Sequence, residues 1–479
     1  MSSDVHPFTS VMALPSVEEI ASIIRVSPPA ILPEEVSDHS WMAVHDIVQA
    51  RIEEATVPLS QMCENIREVL DWIFVQGRAR YSSVSIYRDW LYAKAPSTKQ
   101  SDRKNVPVKA VYGLPGVTKS EFRHALCKVL DYIASSPIQI PECGEFELRP
   151  YALLLAAQGM TSKQAREQLR AGYLDDGSAS SEIALMESDA IAAVASQGYR
   201  RGPLVILIDE LQHMLAQSGA YKPESLLLDA KRAQVPVLFF GNYDLIHKLN
   251  DSATYNVTRL RSHGRIHVLP LDQFCPDRIA CFAEWIRLAP YGTAVDANAA
   301  AGVTYKATVG VTRADAAVSA LAISFSAVER RPLLREDFER ALQHHVFDPP
   351  ARKLALIDSL SRDAFARRHL DLLPPCEEDI AELMPRLLNI SDVASKRALE
   401  ATVDDEKGVT HKKRRAYQQA ARAKGQSKRT TGGLSPAAVS KRGVADASQS
   451  IFGSFSRASG SIGQSSGISN DSKPPSQSP

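Results

Sequence analysis

The chain has 479 residues, of which 44% are hydrophobic and 23% are charged, as in globular proteins with two or three domains. The formal net charge of +1 excludes a uniformly basic surface, so any affinity for nucleic acid must come from local patches. No apolar run approaches about 18 residues and no signal-peptide pattern is present, which predicts a cytoplasmic protein without a membrane partner. The six cysteines lack metal-ligand or redox spacing, and we assign them no chemistry.

Residues 1–105 are predicted to form a helical N-terminal region. Trp41–Glu54 and Leu59–Phe74 carry apolar residues at steps of three and four, a spacing typical of amphipathic helices. The polar run Ser97–Asn105 then predicts a linker into the next domain.

Residues 106–271 alternate short apolar runs with helical stretches, which predicts an α/β domain with a parallel sheet flanked by helices. Its first strand, Val108–Tyr112, is followed by the sequence GLPGVTKS and then by a helical run. Gly113, Lys119 and Ser120 fill three of the four fixed positions of the phosphate-binding loop pattern. In that pattern backbone N–H groups surround the phosphates, the lysine reaches the outer phosphates and the hydroxyl binds Mg²⁺. A turn before a helix is the alternative.

The fourth fixed position of this pattern is normally glycine, and here it is Thr118. That position usually favours a backbone conformation that β-branched residues dislike, at a cost of about 1–3 kcal/mol unless the loop adjusts. Gly116 offers flexibility two residues earlier. We therefore expect binding of a nucleotide rather than rapid hydrolysis.

The run Leu204–Ile208 has no polar alternation and predicts a central strand buried on both faces. Asp209 and Glu210 follow it, at the strand end where ligands of open α/β sheets bind. An Asp at this point can hold Mg²⁺ and an adjacent Glu can polarise an attacking water. The alternative is a strand followed by an exposed acidic turn.

A second buried strand is predicted within Val235–Asp244, ending on Gly241 and Asn242. Its neighbours at the carboxyl edge should be the phosphate loop and the Asp209–Glu210 pair, although a turn-forming Asn is the alternative. Between these motifs we predict a strand at PIQIP, a helix over Tyr151–Gln158, a helix starting at Thr161 or Ser162 and another over Ser180–Ser196.

Four motifs occur in an order that resembles an AAA+ ATPase. They are GLPGVTKS, LVILIDE, VLFFGNYDL and TRLRSHGRIHVLPL, which are similar to a phosphate loop, a Walker B strand, a sensor 1 strand and an arginine-finger segment. More narrowly, GNYDL followed by an arginine cluster and an IHxxP segment resembles the TnsC/TniB transposition regulators. The resemblance covers about residues 106–343.

The resemblance implies that ATP and Mg²⁺ are the cofactors. Asp209 would position the metal, Glu210 would activate water and Asn242 would orient it. Arg261 would be an arginine finger supplied to the neighbouring subunit. It lies in a cluster with Arg259 and Arg265, for which a DNA-contacting loop is the alternative.

Residues 272–345 resemble a helical AAA+ lid. Within it the sequence GVTR is similar to a sensor 2 motif, whose Arg313 would reach the nucleotide; a solvent-facing arginine at a helix start is the alternative.

Residues 346–410 predict a helical C-terminal segment, and residues 411–479 a basic and then Ser/Gly-rich disordered tail. From His411 to Arg442 there are ten Lys or Arg and no Asp or Glu, a pattern that indicates contact with DNA or with a protein partner.

Together these features predict a regulator of DNA transposition that binds double-stranded DNA in an ATP-dependent way. It would form a homo-oligomer, as a ring or a helical filament, on target DNA and link a target-selector protein to a transposase. The alternatives are an AAA+ ATPase of replication initiation or helicase loading, and a scaffold that has lost hydrolysis.

Overall fold

The computed structural model describes residues 7–85, 107–140, 144–157, 160–161, 163–165, 167–168, 202–216, 223–232, 235–251, 264–348, 350, 371–375, 378–379 and 383. The predicted helix Ser180–Ser196 and the basic tail lie outside these residues. Arg259 and Arg261 lie outside them too.

A five-stranded parallel sheet forms the centre of the described fold. Its strands are β1 (Val108–Gly113), β4 (Tyr151–Leu155), β5 (Val205–Asp209), β6 (Val237–Gly241) and β7 (Arg265–Val268). Their order across the sheet is β4-β5-β6-β1-β7. Every residue of β1, β5 and β6 is buried, as expected for central strands covered on both faces. A separate antiparallel pair, β2 (Ile138–Ile140) and β3 (Gly144–Phe146), includes the strand predicted at PIQIP.

The sheet confirms the predicted fold class, an α/β domain with a parallel sheet flanked by helices. The glycine-rich loop connects β1 to the helix that begins at Lys119, and the strand ending on Asp209 is separated from β1 by β6. Helices follow β1, β6 and β7 along the chain.

One prediction in this region is wrong, because Tyr151–Leu155 is a strand and not part of a helix. Leucine and alanine have high helix propensity, but here the segment pairs in parallel with β5, with Leu154 opposite Ile208. Ala152 and Leu154 are buried while Tyr151 and Leu153 are half-buried, which is the two-residue period of an edge strand. Tertiary pairing thus overrides local propensity.

Thr161 fits its predicted role as a helix cap, because its hydroxyl accepts a hydrogen bond from the Gln164 N–H at 3.2 Å.

Helices precede and follow the sheet in sequence. They are α1 (Val17–Ile24), α2 (Pro33–Val36), α3 (Trp41–Glu54), α4 (Ser60–Arg80), α5 (Lys119–Ile133), α6 (Pro223–Arg232), α7 (Tyr243–Asp251), α8 (Pro276–Ile286), α9 (Ala297–Thr308), α10 (Thr312–Val328) and α11 (Arg335–Gln343). The predicted helix Trp41–Glu54 has its predicted bounds, and the one predicted at Leu59–Phe74 extends to Arg80. Among the helices of the described residues, none has the length and apolar character needed to cross a bilayer.

The N-terminal helices pack directly on those that follow the sheet. Helix α3 lies against α10, where Trp41 stacks on Phe325 with ring centroids 6.2 Å apart. At the start of α4 the Ser60 hydroxyl donates to Asp277 of α8 at 2.8 Å. The predicted boundaries at residues 105, 271 and 345 remain predictions, but these contacts join the first and third segments.

A buried ion pair joins the three helices α8, α9 and α10. Arg278 and Asp315 are 0% and 1% exposed, and the guanidinium donates to both carboxylate oxygens at 2.7 and 2.8 Å. Arg278 also donates to the Ala301 carbonyl and to the Thr304 hydroxyl of α9. Because a buried charge is tolerated only when it is paired and hydrogen-bonded, this network fixes how the three helices meet.

The described cysteines are free thiols. Burial raises the pKa of Cys63 and of Cys127 to about 11, which keeps both thiols protonated at neutral pH.

We expect Arg278→Ala to lower the free energy of unfolding by about 3–5 kcal/mol, because it leaves the Asp315 carboxylate buried without its counter-charge. Denaturant unfolding of the full chain measures this change. Arg335→Ala is the matched control, since Arg335 forms an exposed pair with Glu339 and its loss should cost about 0–1 kcal/mol. Similar losses in the two variants would contradict the role given to the buried pair.

Candidate functional site

The carboxyl ends of three neighbouring strands bring the predicted motifs together. Strand β6 pairs with β1, with Gly241 opposite Tyr112, and also with β5, with Phe239 opposite Ile208. The loops after these strands carry the phosphate-loop motif, Asn242 and the acidic pair, respectively. The three motifs therefore leave the sheet at one edge, as the sequence predicted.

The phosphate-loop motif relies on two glycines. At Gly113 a Cβ atom would lie 2.3 Å from the Val268 carbonyl oxygen, so only glycine permits β1 to approach β7 there. Gly116 has a φ of +84°, a value that side chains other than glycine rarely adopt.

Thr118 does not carry the backbone strain that its place in the motif led us to expect. Its φ is −58° and its ψ is 24°, and it lies at the N-cap of α5. The left-handed conformation is taken by Gly116, so the loop has adjusted in the way that avoids the cost.

Lys119 is buried at the start of α5 and its ammonium group turns back into the loop. It donates to the carbonyl oxygens of Gly113 at 3.0 Å and of Leu114 at 2.6 Å. The pKa of this ammonium is lowered to about 7, mainly by burial; the Arg313 charge adds to this shift, while Glu210 and other nearby carboxylates oppose it. Ser120 follows it and is half-buried. Because burial disfavours the charged form of Lys119, an anionic ligand that approached the amine would stabilise its ammonium form.

Asp209 ends β5 and is held by a residue that the sequence did not single out. Its Oδ2 lies 2.7 Å from Nε of Arg123, one helical turn after Lys119 on α5. Both residues are buried, at 9% exposure for Arg123 and 5% for Asp209. The Arg123 Nε–H makes no aligned hydrogen bond, so the contact with Asp209 is an ion pair. Burial raises the pKa of the Asp209 carboxyl, and the Arg123 charge opposes that rise.

Glu210 has a φ of 58°, unusual for a residue other than glycine. Its Oε2 accepts a hydrogen bond from the Gln212 side-chain amide and lies 3.0 Å from Nε2 of His213. Its side chain is 40% exposed. Glu210 follows the last residue of β5, and, in addition to burial, the charge of its carboxylate raises the pKa of Asp209.

Asn242 lies directly after β6 and is half-buried. Two residues later, Asp244 lies in the first turn of α7, and its carboxylate accepts a hydrogen bond from the Leu245 N–H at 2.9 Å. Burial raises the pKa of the Asp244 carboxyl, and the charge of Asp371 raises it further. Asp244 is therefore a third carboxylate whose charge acts on Lys119.

Helix α10 begins against the phosphate-loop motif. The Arg313 N–H donates to the Gly116 carbonyl at 3.1 Å, and the Arg313 side chain is exposed. A cavity of about 360 Å³ opens between the motif, the start of α10 and residues of the C-terminal segment. Its lining is largely apolar and includes Leu114, Pro115, Val311, Leu321, Phe347 and Leu372. This volume is within the range of small-molecule sites, about 300–1,000 Å³.

The arginine cluster is described in part. Arg259 and Arg261 lie outside the described residues, so the finger assigned to Arg261 stays a prediction. Arg265 starts β7 and pairs with Glu378 at 3.0 Å.

Behind the phosphate-loop motif, a carboxylate from the C-terminal segment enters a buried aromatic cluster. The Tyr112 hydroxyl donates to Asp379 at 3.0 Å, and Nδ1 of His267 lies 3.6 Å from the same carboxylate. The Tyr243 hydroxyl lies 2.7 Å from Nε2 of His267. Tyr112 precedes Gly113 and Tyr243 follows Asn242, so Asp379 is linked to both motifs, directly through the Tyr112 hydroxyl and through His267 to Tyr243.

The donors present fit a nucleotide with Mg²⁺. Lys119 and the loop N–H groups suit phosphate oxygens, and Ser120 and Asp209 offer the oxygen ligands that Mg²⁺ prefers. Among the described residues, no group of three His, Cys, Asp or Glu forms a metal site. Mg²⁺ at nucleotide sites is commonly bound through one or two carboxylates together with substrate phosphates, which matches this arrangement.

Sequence reasoning missed Arg123, Asp244 and Asp379. Arg123 could have been found from its spacing of four residues from Lys119, which places both on one face of α5. Asp244 could have been found from its position two residues after Asn242. Asp379 left no local signal, since its partner Tyr112 is 267 residues away.

Comparisons with known proteins identify no family. No protein-family model matches the sequence, and no curated protein matches it. Among solved structures, the chain is similar to the Aeropyrum pernix ORC1 protein in complex with DNA. The two share 15% sequence identity and a TM-score of 0.36, over 60% of this chain and 69% of the other. The fold assignment therefore rests on strand order and the position of the loop.

We expect Asp379→Ala to lower the free energy of unfolding by about 1–3 kcal/mol, because the Tyr112 hydroxyl loses its buried carboxylate acceptor. Chemical denaturation of the full chain measures the loss. Glu378→Ala is the matched control, since the Glu378 side chain is 83% exposed. An effect confined to Glu378→Ala would show that the segment is held by its surface pair instead.

Proposed function

We propose that this chain is an ATP-binding AAA+ regulator of DNA transposition. Nucleotide binding is supported above all by the position of Lys119, the Asp209–Glu210 pair and Asn242 at one edge of the sheet. They lie beside a cavity that residues at the start of α10 line. Few other ligands call for a buried cation, a loop of N–H groups and paired carboxylates together.

In this proposal the residues of the loop bind the triphosphate. Lys119 exchanges its two carbonyl acceptors for phosphate oxygens, and Ser120 and Asp209 would hold Mg²⁺. The apolar cavity next to Gly116 takes the base, and Arg313 reaches the phosphates from the start of α10. ATP with Mg²⁺ would supply the phosphoryl group and the positive charge that its transfer to water needs.

Hydrolysis is assigned to Glu210 and Asn242. Glu210 accepts a proton from the attacking water while Asn242 orients that water by a hydrogen bond. The hydrogen bond from Gln212 and the contact with His213 hold the Glu210 carboxylate, and both must be rearranged before it can act as a base. Slow, regulatory turnover is consistent with that restraint.

The DNA and transposition parts of the proposal come from the order of the sequence motifs. Arg261 would complete the site of a neighbouring subunit, so that ATP joins protomers into a ring or filament on double-stranded DNA. The basic segment that begins at His411 would add contact with phosphates or with a transposase.

A scaffold without hydrolysis is the second candidate. It is favoured because the carboxylates of the site are already bound to other residues of the chain. In the described residues Asp209 pairs with Arg123, and Glu210 is bonded to its own loop. Such a protein would still bind ATP and use it as a structural ligand.

We expect the affinity for ATP to fall as pH rises above about 7. The pKa of Lys119 is about 7 without nucleotide, and an anionic phosphate raises it, so binding takes up a proton. Affinity should then fall by up to about tenfold per pH unit. The dissociation constant of a fluorescent ATP analogue between about pH 7 and pH 9 measures the slope. Lys119→Arg is the control, because its guanidinium does not titrate there; an identical slope in this variant would contradict the assignment.

We expect Glu210→Gln to bind ATP as the wild type does but to release phosphate about 10²–10⁴ times more slowly and to stay longer on DNA. Phosphate release and ATP-dependent retention of labelled double-stranded DNA measure the two effects. Glu336→Gln, which changes an exposed residue in the first turn of α11, is the control. Wild-type phosphate release no faster than that of Glu210→Gln would support the scaffold. DNA retention that does not depend on ATP would contradict the regulator.

A further inference from the structure

The Arg123–Asp209 pair occupies the carboxylate that the proposed site offers to a metal. The Asp209 Oδ2 lies 2.7 Å from Arg123, and its Oδ1 accepts the Glu210 N–H at 2.9 Å. Both side chains are almost fully buried. The carboxylate is thus already neutralised by a cation of this chain.

Arg123 is held on its other side as well. Its Nη2 lies 2.7 Å from Nε2 of His124. Because a guanidinium can only donate, His124 accepts with this nitrogen and is neutral. Burial lowers the pKa of His124, and the Arg123 charge lowers it further. Arg123 is therefore fixed between an anionic and a neutral acceptor and does not point into solvent.

A divalent cation near Asp209 would gain little while Arg123 remains. The positive guanidinium repels the cation and offsets most of the electrostatic attraction that the Asp209 carboxylate would exert on it. Moving Arg123 away would leave a guanidinium in a buried place without its counter-ion, which is strongly unfavourable. The carboxylate becomes available to a metal only at the expense of the pair.

We infer that Arg123 is a positioning residue that acts through Asp209 and makes nucleotide binding nearly independent of Mg²⁺. The inference rests on the nucleotide binding proposed above and adds a property that the motifs do not give. Nucleotide enters with Lys119 and the loop N–H groups as its main partners. Asp209 serves as a metal ligand only after Arg123 has left it.

The experiment measures the dissociation constant of a fluorescent ATP analogue in EDTA and in excess Mg²⁺, using the full chain. We expect the two constants of the wild type to agree within about threefold. In Arg123→Gln the buried Asp209 carboxylate lacks a counter-ion, so Mg²⁺ should tighten binding by about tenfold or more. Arg123→Lys retains the charge and should resemble the wild type. Arg335→Gln, which removes an exposed arginine on α11, is the matched control.

A double variant keeps the test decisive if Arg123→Gln folds poorly. Arg123→Gln with Asp209→Asn removes both charges and should return the effect of Mg²⁺ to the wild-type level. Equal effects of Mg²⁺ in wild type, Arg123→Gln and the double variant would overturn the inference, whatever their size. A large effect that persists in the double variant would place the metal elsewhere and would also overturn it. Failure of the wild type to bind the analogue with or without Mg²⁺ would overturn the proposed function itself, and with it this inference.

Discussion

The parallel pairing of β6 with both β1 and β5 is the constraint on which the site depends. It places three loops from distant parts of the sequence at one edge of the sheet. The pairing is enforced by burial, because the apolar residues of these strands have no polar face to turn towards water. A slip of one residue would exchange the two faces of a strand and move its terminal polar residue away from the others. The core of the sheet therefore determines the geometry of the site more than the loops do.

Much of this arrangement could be predicted from local sequence. The unbroken apolar runs predicted the central strands, and the order of loop, lysine, serine and helix predicted the turn after β1. Prediction was wrong where the local helix propensity of a segment conflicted with its tertiary pairing. Tyr151–Leu155 has the composition of a helix, but an open edge of β5 made it a strand. At Thr118 the sequence left two outcomes open, and the loop takes the one without strain, because the glycine two residues earlier adopts the unusual conformation.

The partners of the buried charged residues could not be predicted from the sequence. A sequence indicates that a buried Arg or Asp needs a counter-charge, but it does not indicate which residue supplies it. Arg278 finds Asp315 on another helix 37 residues away, and Asp379 reaches Tyr112 from the far C-terminal segment. These pairs join elements whose contact cannot be predicted from the hydrophobic periodicity of either element. The segment around Asp379 consequently belongs to the same packed unit as the phosphate-loop motif, although its sequence indicates only an acidic helix.

The charged groups of the site are bound to other parts of the chain. Lys119 donates to loop carbonyls, Asp209 pairs with Arg123, and Glu210 is held by Gln212 and His213. A ligand must replace these contacts, so its net affinity is the difference between new and lost interactions. That difference favours a ligand with concentrated negative charge. The low polarity that brings the pKa of Lys119 to about 7 also strengthens the attraction between its ammonium form and a phosphate. A neutral ligand would gain the apolar cavity but would not compensate for the loss of the lysine's two carbonyl bonds, so we expect the site to favour a polyanion.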